Sequence, residues 1–169
     1  MPRMRVLRLV VHAPTHQPVL LLGEVDGERF VPVFVRRPQA DLIDNGPRGA
    51  NDPLLTQDLI GPIVRGLSRT LDLVEITELR DGAFHVDLVF DTGTRIAAPS
   101  SDALALAVRD GIPISMAAAI LDEVGQPITD LFPHGGGSPN EEQLREFSQF
   151  VEQVSPDDFR DPPASGSPT

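Results

Sequence analysis

The chain has 169 residues, 40% of them hydrophobic, which is enough for one domain with a buried core and a tail. It contains no cysteine, which excludes disulfides and thiolate metal sites and is typical of a reducing cytoplasm, where we expect the protein. The net charge of −11 argues against tight nonspecific binding of nucleic acid. No apolar run approaches the roughly 18 residues that span a bilayer, so we expect no membrane partner.

The negative charge is spread over two parts of the chain. Up to Phe132 there are 12 arginines against 18 acids, which gives −6, and the remainder has 2 arginines against 7 acids, which gives −5. An acidic body does not exclude a metal-assisted nuclease, because clustered carboxylates can bind the metal ion.

The first forty-five residues predict three strands followed by a short helix. The strands run from Arg5 to Val11, Val19 to Val25 and Arg29 to Val35, and Asp26-Gly27 is a two-residue hairpin signal that requires positive φ. A signal peptide is the rival interpretation of the N-terminus, but the apolar run breaks at His12 without a cleavage site.

The third strand has apolar residues at both alternating sets of positions. This pattern predicts a strand that is covered on both faces or that meets another subunit. Pro32 cannot donate to a ladder, so it places this strand near an edge or a bulge of the sheet.

Two helical patterns follow the third strand. The first runs from Arg36 to Asn45 and begins near Pro38. The second runs from Leu54 to Leu67 with apolar residues at helical spacing, and Gly61-Pro62 should kink it or split it into two pieces.

A second β-rich unit repeats the order strand, hairpin, strand, helix. It contains strands from Leu71 to Leu79, from Ala83 to Phe90 and from Thr94 to Ala97, with turns at Asp81-Gly82 and Thr92-Gly93. The sequence therefore predicts an α+β fold, with a compact mixed β-sheet and two β-rich units that are each closed by a helix.

The remaining elements divide the chain into a domain and a tail. Ile112 to Ser115 predicts a short strand, and Met116 to Val124 predicts the last helix of the body. We assign residues 1–130 to the domain, 131–139 to a Gly/Pro linker, 140–154 to an acidic amphipathic helix and 155–169 to a disordered tail.

Two helix starts carry an acid. In the segment from Ala97 to Ile114, Pro99 ends the strand, Ser100 or Ser101 can cap the helix, Asp102 lies in the first turn and Gly111 follows the last turn. In the segment from Asp52 to Leu59, Thr56 is the expected cap and Asp58 follows it by two residues.

Asp58 and Asp102 are the candidate catalytic residues and the candidate ligands for Mg²⁺ or Mn²⁺, which prefer oxygen donors. The alternative is that both acids only stabilise a helix dipole, by about 0.3–1 kcal/mol each. Thr56 and Ser101 are candidate substrate-binding residues, although capping is their commoner role.

Arg36 and Arg37, with Arg48, could form a phosphate-binding patch, and ion pairing is the alternative role of these arginines. His85 could act as a general base, although solvent-facing strand histidines are commoner.

Four segments carry a resemblance to a known family. In order they are VLLLGEVDGERFVPVFV, PLLTQDLI, DGAFHVDLVF and PSSDALALAVRDGIPI. Over roughly residues 3 to 130 the chain resembles the bifunctional nuclease domain family. The segment that ends in VSPDDF also resembles the tails of actinobacterial members, so we expect the actinobacterial type. The resemblance implies a compact α+β fold, homo-oligomers, and hydrolysis of phosphodiester bonds in DNA and RNA, so that nucleic acid is an expected partner and Asp58 and Asp102 are the expected catalytic carboxylates.

The chain departs from the family pattern at three places. The family usually has a threonine-histidine-aspartate where this chain has Thr56-Gln57-Asp58, and a glutamate-alanine where it has Gln39-Ala40. The family's arginine-proline-serine-aspartate corner is here Pro99-Ser100-Ser101-Asp102. These replacements keep open an alternative, a non-enzymatic homo-oligomeric binding or regulatory module that has lost the family's active residues.

Overall fold

A computed structural model describes residues 1–131 of the chain, which form one eight-stranded sheet and its helices. The strand order is β6-β5-β4-β7-β1-β2-β3-β8. Every pair of neighbours is antiparallel except β4 and β7, which are parallel. The sheet is therefore mixed, and the predicted α+β class is confirmed.

Apart from β8 and the 3₁₀ turn at Ile128–Leu131, which the sequence did not predict, the strands and helices follow the predicted order along the chain. The strands are β1 (Arg3–His12), β2 (Gln17–Glu24), β3 (Arg29–Phe34), β4 (Leu71–Arg80), β5 (Ala83–Phe90), β6 (Arg95–Ala98), β7 (Ile114–Met116) and β8 (Gln126–Pro127). The helices are α1 (Arg37–Asp44), α2 (Ile60–Gly66), α3 (Ser100–Asp110) and α4 (Ala118–Val124), with 3₁₀ turns at Thr56–Leu59 and Ile128–Leu131. None of these helices is long and apolar enough to cross a bilayer.

Strand β3 is buried on both faces, as its doubly apolar pattern predicts. Phe30 and Phe34 on one face and Val31 and Val33 on the other are all at most 3% exposed. Pro32 pairs with Leu21 of β2, whereas β8 on the other side pairs only with Arg29 and Phe30. Because no described strand lies beside Pro32 on that side, its missing N–H costs the sheet no hydrogen bond, and its predicted edge position is confirmed.

Two of the three predicted turns form as expected. Asp81 and Gly82 have φ values of 53° and 73°, which is the conformation that a two-residue hairpin requires, and Gly93 has a φ of 78°. The turn predicted at Asp26-Gly27 is wrong, because neither residue has positive φ and the strands end at Glu24 and Arg29. The guanidinium of Arg29 donates two hydrogen bonds to Glu24, at 3.0 and 3.1 Å, so an ion pair closes a wider loop there.

The two β-rich units join through the short strand β7. It pairs antiparallel with β1 and parallel with β4, so it lies between the first and second units. Helix α1 packs on the strands of the first unit, helix α3 packs on those of the second, and the two helices contact each other. Each unit is thus closed by a helix, as predicted, and both units share one core.

The helical pattern from Leu54 to Leu67 forms two pieces rather than one helix. A 3₁₀ turn covers Thr56–Leu59, and α2 begins at Ile60. Pro62 then occupies the first turn of α2, where its missing N–H would have no helical partner in any case. The predicted split is confirmed, although α2 buries none of its residues.

The predicted linker, acidic helix and tail lie almost entirely outside the described residues. Of these segments only Leu131 is described, in the 3₁₀ turn that ends this part of the chain. The division of the chain beyond residue 130 therefore stays a prediction.

Candidate functional site at the start of helix α3

Asp102 lies in the first turn of α3, where two side chains from the α1 region bind its carboxylate. The guanidinium of Arg36 donates a hydrogen bond to Oδ2, and the Nε2 of Gln39 donates to Oδ1 at 2.7 Å. The side chains of Asp102 and Arg36 are 38% and 51% exposed, so this ion pair is a surface feature. Surface pairs of this kind contribute about 0–1 kcal/mol to stability.

A third segment reaches the same helix start. The Nε2 of Gln57 donates to the backbone oxygen of Asp102 at 2.9 Å. The backbone N–H of Arg36 donates to the Oγ of Ser101 at 3.2 Å. The start of α1, the 3₁₀ turn and the start of α3 therefore meet at one point, which we call the Asp102 corner (Arg36, Gln39, Gln57, Ser101 and Asp102).

The predicted serine caps are wrong. Pro99 is the N-cap residue of α3 and makes no side-chain capping bond, while Ser100 and Ser101 are buried inside the first turn. The Oγ of Ser101 accepts from the start of α1, so it ties two helices together instead of capping one. The C-terminal prediction is confirmed, because Gly111 has a φ of 68° in the left-handed conformation.

Asp58 lies in a different environment from Asp102. Its carboxylate accepts two hydrogen bonds from Arg109, at 3.1 and 3.0 Å, and both side chains are at most 4% exposed. It also accepts from the backbone N–H of Leu55 at 3.0 Å. The hydrogen bonds from Arg109 lower the pKa of the Asp58 carboxyl, so it is held in its ionised form.

The buried ion pair connects three parts of the chain. Besides Asp58, the guanidinium of Arg109 donates to the backbone oxygen of Gly46 at 3.3 Å. The backbone oxygen of Arg109 accepts from the N–H of Arg48 at 3.1 Å. The end of α3, the loop after α1 and the 3₁₀ turn are thereby held together, which is a structural role for Asp58.

Arg109 is the residue that sequence reasoning missed. It follows Ala105 by four residues and Leu106 by three, so it lies on a side of α3 that is otherwise buried. An arginine at such a position needs a buried carboxylate, because an unpaired charge is costly in a core. The position of Arg109 on the buried side of α3 could therefore have predicted a buried ion pair.

The predicted cap at Thr56 is also wrong. Leu55 is the N-cap residue of the 3₁₀ turn, and its backbone N–H donates to the carboxylate of Asp58 rather than to a hydroxyl. Thr56 is the first residue of the turn and is exposed.

The structure gives the neighbouring arginines Arg36 and Arg37 different partners. Arg36 bonds Asp102, whereas Arg37 donates to the backbone oxygen of His16 at 3.0 Å. Both arginines nevertheless line one cavity beside the β1–β2 turn, together with Thr15, His16 and Gln17, among others.

The donor set of Asp58 and Asp102 does not fit a shared divalent cation. Both oxygens of Asp58 accept from Arg109, and the two oxygens of Asp102 accept from Arg36 and Gln39. Among residues 1–131 no group of three histidine, cysteine or acidic residues lies close enough together to hold a metal ion. The Mg²⁺ or Mn²⁺ site expected at these two carboxylates therefore stays a prediction.

The fold and the Asp102 corner together define a mixed α+β domain in which the two units meet at a charged helix start. The chain belongs to the bifunctional nuclease domain family, whose model matches residues 20–129. Two uncharacterized proteins from two strains of Mycobacterium tuberculosis are each 36% identical over 162 residues, which cover 95% of this chain and 99% of theirs. The mycobacterial relatives agree with the actinobacterial type predicted from the sequence.

The positions at which the chain departs from the family pattern converge on Asp102. Gln39 stands where a glutamate is usual, Gln57 stands where a histidine is usual, and both carboxamides donate to Asp102. With the usual residues, three ionisable groups would face one helix start. In this chain two of the three positions hold neutral amides, which do not transfer protons near neutral pH.

Proposed function

We propose that the chain is a non-hydrolytic, homo-oligomeric binding module built on the bifunctional nuclease fold. The observation that carries this proposal is the hydrogen bonding of the two candidate carboxylates. Every oxygen of Asp58 and Asp102 already accepts a hydrogen bond from a protein donor.

The two carboxylates are unsuited to hydrolysis for different reasons. To bind a metal ion or activate water, Asp58 would have to leave Arg109 as an uncompensated buried charge, which typically costs about 3–5 kcal/mol. Asp102 is more accessible, but Gln57 beside it cannot exchange a proton near neutral pH as a histidine could.

Support for an oligomer comes from strand β6 at one end of the sheet. Within residues 1–131 it pairs only with β5, which leaves its outer edge open to a second chain. Ile96 in the middle of β6 is 50% exposed. Edge-to-edge pairing of two copies would cover both the unpaired backbone groups and this side chain.

The oligomer is tested by light scattering of the full chain after size-exclusion chromatography. We expect a mass above that of one chain, and we expect Ile96→Asp to reduce it. The matched control is Val25→Asp, which adds the same charge at a residue that is 41% exposed in the loop before β3. A monomeric mass for the unaltered chain would contradict this part of the proposal.

Phosphodiester hydrolysis at the Asp102 corner is the second candidate function. It is favoured by membership of the family and by the exposure of Asp102 and Arg36 next to each other. In this alternative Arg36 would turn from Asp102 to a phosphate, since guanidinium groups match phosphate geometry, and Asp102 would act as general base towards water.

One cleavage experiment separates the two functions. The purified chain is incubated with single-stranded DNA and with RNA, in Mg²⁺, Mn²⁺ or EDTA, next to Asp102→Asn and the exposed control Asp130→Asn. We expect no cleavage above that of a mock purification. Cleavage that Asp102→Asn abolishes and Asp130→Asn retains would overturn the proposal in favour of hydrolysis.

The composition of the chain provides a check on these preparations. It has no tryptophan, tyrosine or cysteine, so the pure protein absorbs very little at 280 nm. Absorbance at this wavelength therefore reports a contaminant, such as a host nuclease.

A further inference from the structure

The segment before β4 exposes an unusual number of large apolar side chains. Six of them are between 37% and 71% exposed, and we call them the α2 apolar surface: Leu54, Leu55, Leu59, Ile60, Ile63 and Leu67. Helix α2 itself buries no residue against the described part of the chain. Soluble monomers rarely leave a large apolar patch uncovered, so this surface indicates a docking site.

A cavity beside the α2 apolar surface adds shape and charge. It has a volume of about 270 Å³ and is lined by apolar side chains, such as Ile60, Val64 and Ile112, and by the charged residues Arg65, Arg69 and Asp110. Asp58 is the only acid between residues 54 and 70, and it is buried against Arg109. The exposed charge of this stretch is therefore positive, from Arg65 and Arg69. Asp110 of α3 lines the same cavity and interacts with Arg65, so two positive charges and one negative charge leave the cavity with a net charge of +1, although the body as a whole is negative.

A complementary segment lies in the same chain, outside the described residues. Residues 140–154 have Leu144, Phe147, Val151 and Val154 at helical spacing, with Phe150 beside them. The same fifteen residues contain four glutamates and one arginine, which gives a charge of −3. An apolar stripe with negative flanks matches an apolar surface with positive flanks.

We propose that residues 140–154 dock on the α2 apolar surface of their own chain, with their glutamates near Arg65 and Arg69. The connection is long enough, because the 13 residue-to-residue steps from Leu131 to Leu144 can span roughly 43 Å when extended. A domain of 131 residues has a radius of gyration of only roughly 14 Å. Tethering also raises the effective concentration of the segment to about the millimolar range, which favours this occupant over a second copy.

This docking is independent of the proposed function, since the α2 apolar surface contains no residue of the Asp102 corner. It can fail while the chain remains non-hydrolytic, and it can hold in a chain that cleaves nucleic acid. A segment bound in this way would compete with any protein partner for the α2 apolar surface.

The absence of tryptophan makes the docking directly measurable. In the full chain, Ile63→Trp places a single indole on the α2 apolar surface at a position that is 58% exposed in the described structure. Docking predicts blue-shifted emission and protection from acrylamide quenching. Adding Phe147→Asp and Phe150→Asp should shift the emission to the red and remove the protection, and high salt should weaken it.

The control adds Phe159→Asp and Ser165→Asp instead, which introduce the same two negative charges outside residues 140–154. It should leave emission and quenching unchanged. The proposal is overturned if the indole at position 63 is fully accessible to acrylamide in the variant whose tail is unaltered. It is also overturned if the indole stays shielded after Phe147 and Phe150 are replaced. Shielding that is lost on dilution and ignores both phenylalanines would instead identify a second copy as the occupant.

Discussion

Arg109 and Asp58 form the buried ion pair on which three segments depend, and this pair provides the sharpest prediction for single residues. Asp58→Asn removes the charge that compensates the buried guanidinium of Arg109 while keeping the shape of the side chain. We expect the free energy of unfolding to fall by about 3–5 kcal/mol. Urea denaturation followed by circular dichroism measures this change.

The matched control for this prediction is Asp130→Asn, which makes the same change at an exposed acid. It should alter the stability by no more than about 0.5 kcal/mol. Equal effects of the two substitutions would show that Asp58 is not structural.

The pH dependence of stability follows from the pKa of the same carboxyl. Arg109 lowers the pKa of Asp58 in the folded state, so this group stabilises the fold at pH values above its unfolded pKa of about 3.9. The contribution is lost as the pH falls through the lower, folded value. The stability difference between the unaltered chain and Asp58→Asn should therefore be full at pH 7 and shrink below about pH 4. Urea titrations at pH 7, 5 and 3 test this, and a constant difference would contradict it.

At the scale of elements, two glycines in open surroundings should respond in opposite ways to the same substitution. Apart from chain neighbours and the backbone of the same helix, neither Gly66 nor Gly111 has a heavy atom within 4 Å of the place where a Cβ would lie. Gly111 ends α3 with a φ of 68°, so Gly111→Ala should cost about 1–2 kcal/mol. Gly66 lies in α2 without positive φ, so Gly66→Ala should stabilise the chain by about 0.4–1 kcal/mol.

Chemical denaturation of both variants measures these two effects, and each variant is the control of the other. Because neither substitution creates a clash, a difference in sign reports backbone conformation alone. The same sign at both positions would refute the left-handed end of α3.

At the scale of the whole molecule, β7 makes the two units into one folding unit. It pairs with β1 and with β4, and residues of both units belong to one core. We expect the amides of β2 and β5 to exchange with deuterium through the same global opening, with equal free energies and equal dependence on urea. Hydrogen-exchange mass spectrometry of the full chain measures this. Exchange of one unit at a distinctly lower free energy would show that the units unfold separately.

The sequence by itself determined the features that depend on local backbone geometry and on the spacing of apolar residues along a strand or helix. The Asp81-Gly82 turn and the left-handed Gly111 follow from the few residues that tolerate positive φ. The doubly apolar pattern of β3 predicted burial on both faces, and Pro62 predicted that the second helical segment would split. Such signals lie within a few residues of the feature that they predict, so they can be interpreted without knowledge of the fold.

The tertiary structure alone decided which distant residues meet. Asp58 and Arg109 are 51 positions apart, and only the packing of α3 on the 3₁₀ turn brings them together. The same packing places Gln39 and Gln57 on Asp102 and replaces the expected serine caps with a contact between helices. The helical spacing of apolar residues shows which side of a helix is apolar, but not what packs against that side. It therefore could not show that the α2 apolar surface would be left uncovered in residues 1–131. The roles of the two aspartates depend on such partners, and the chain brings these together only when it folds.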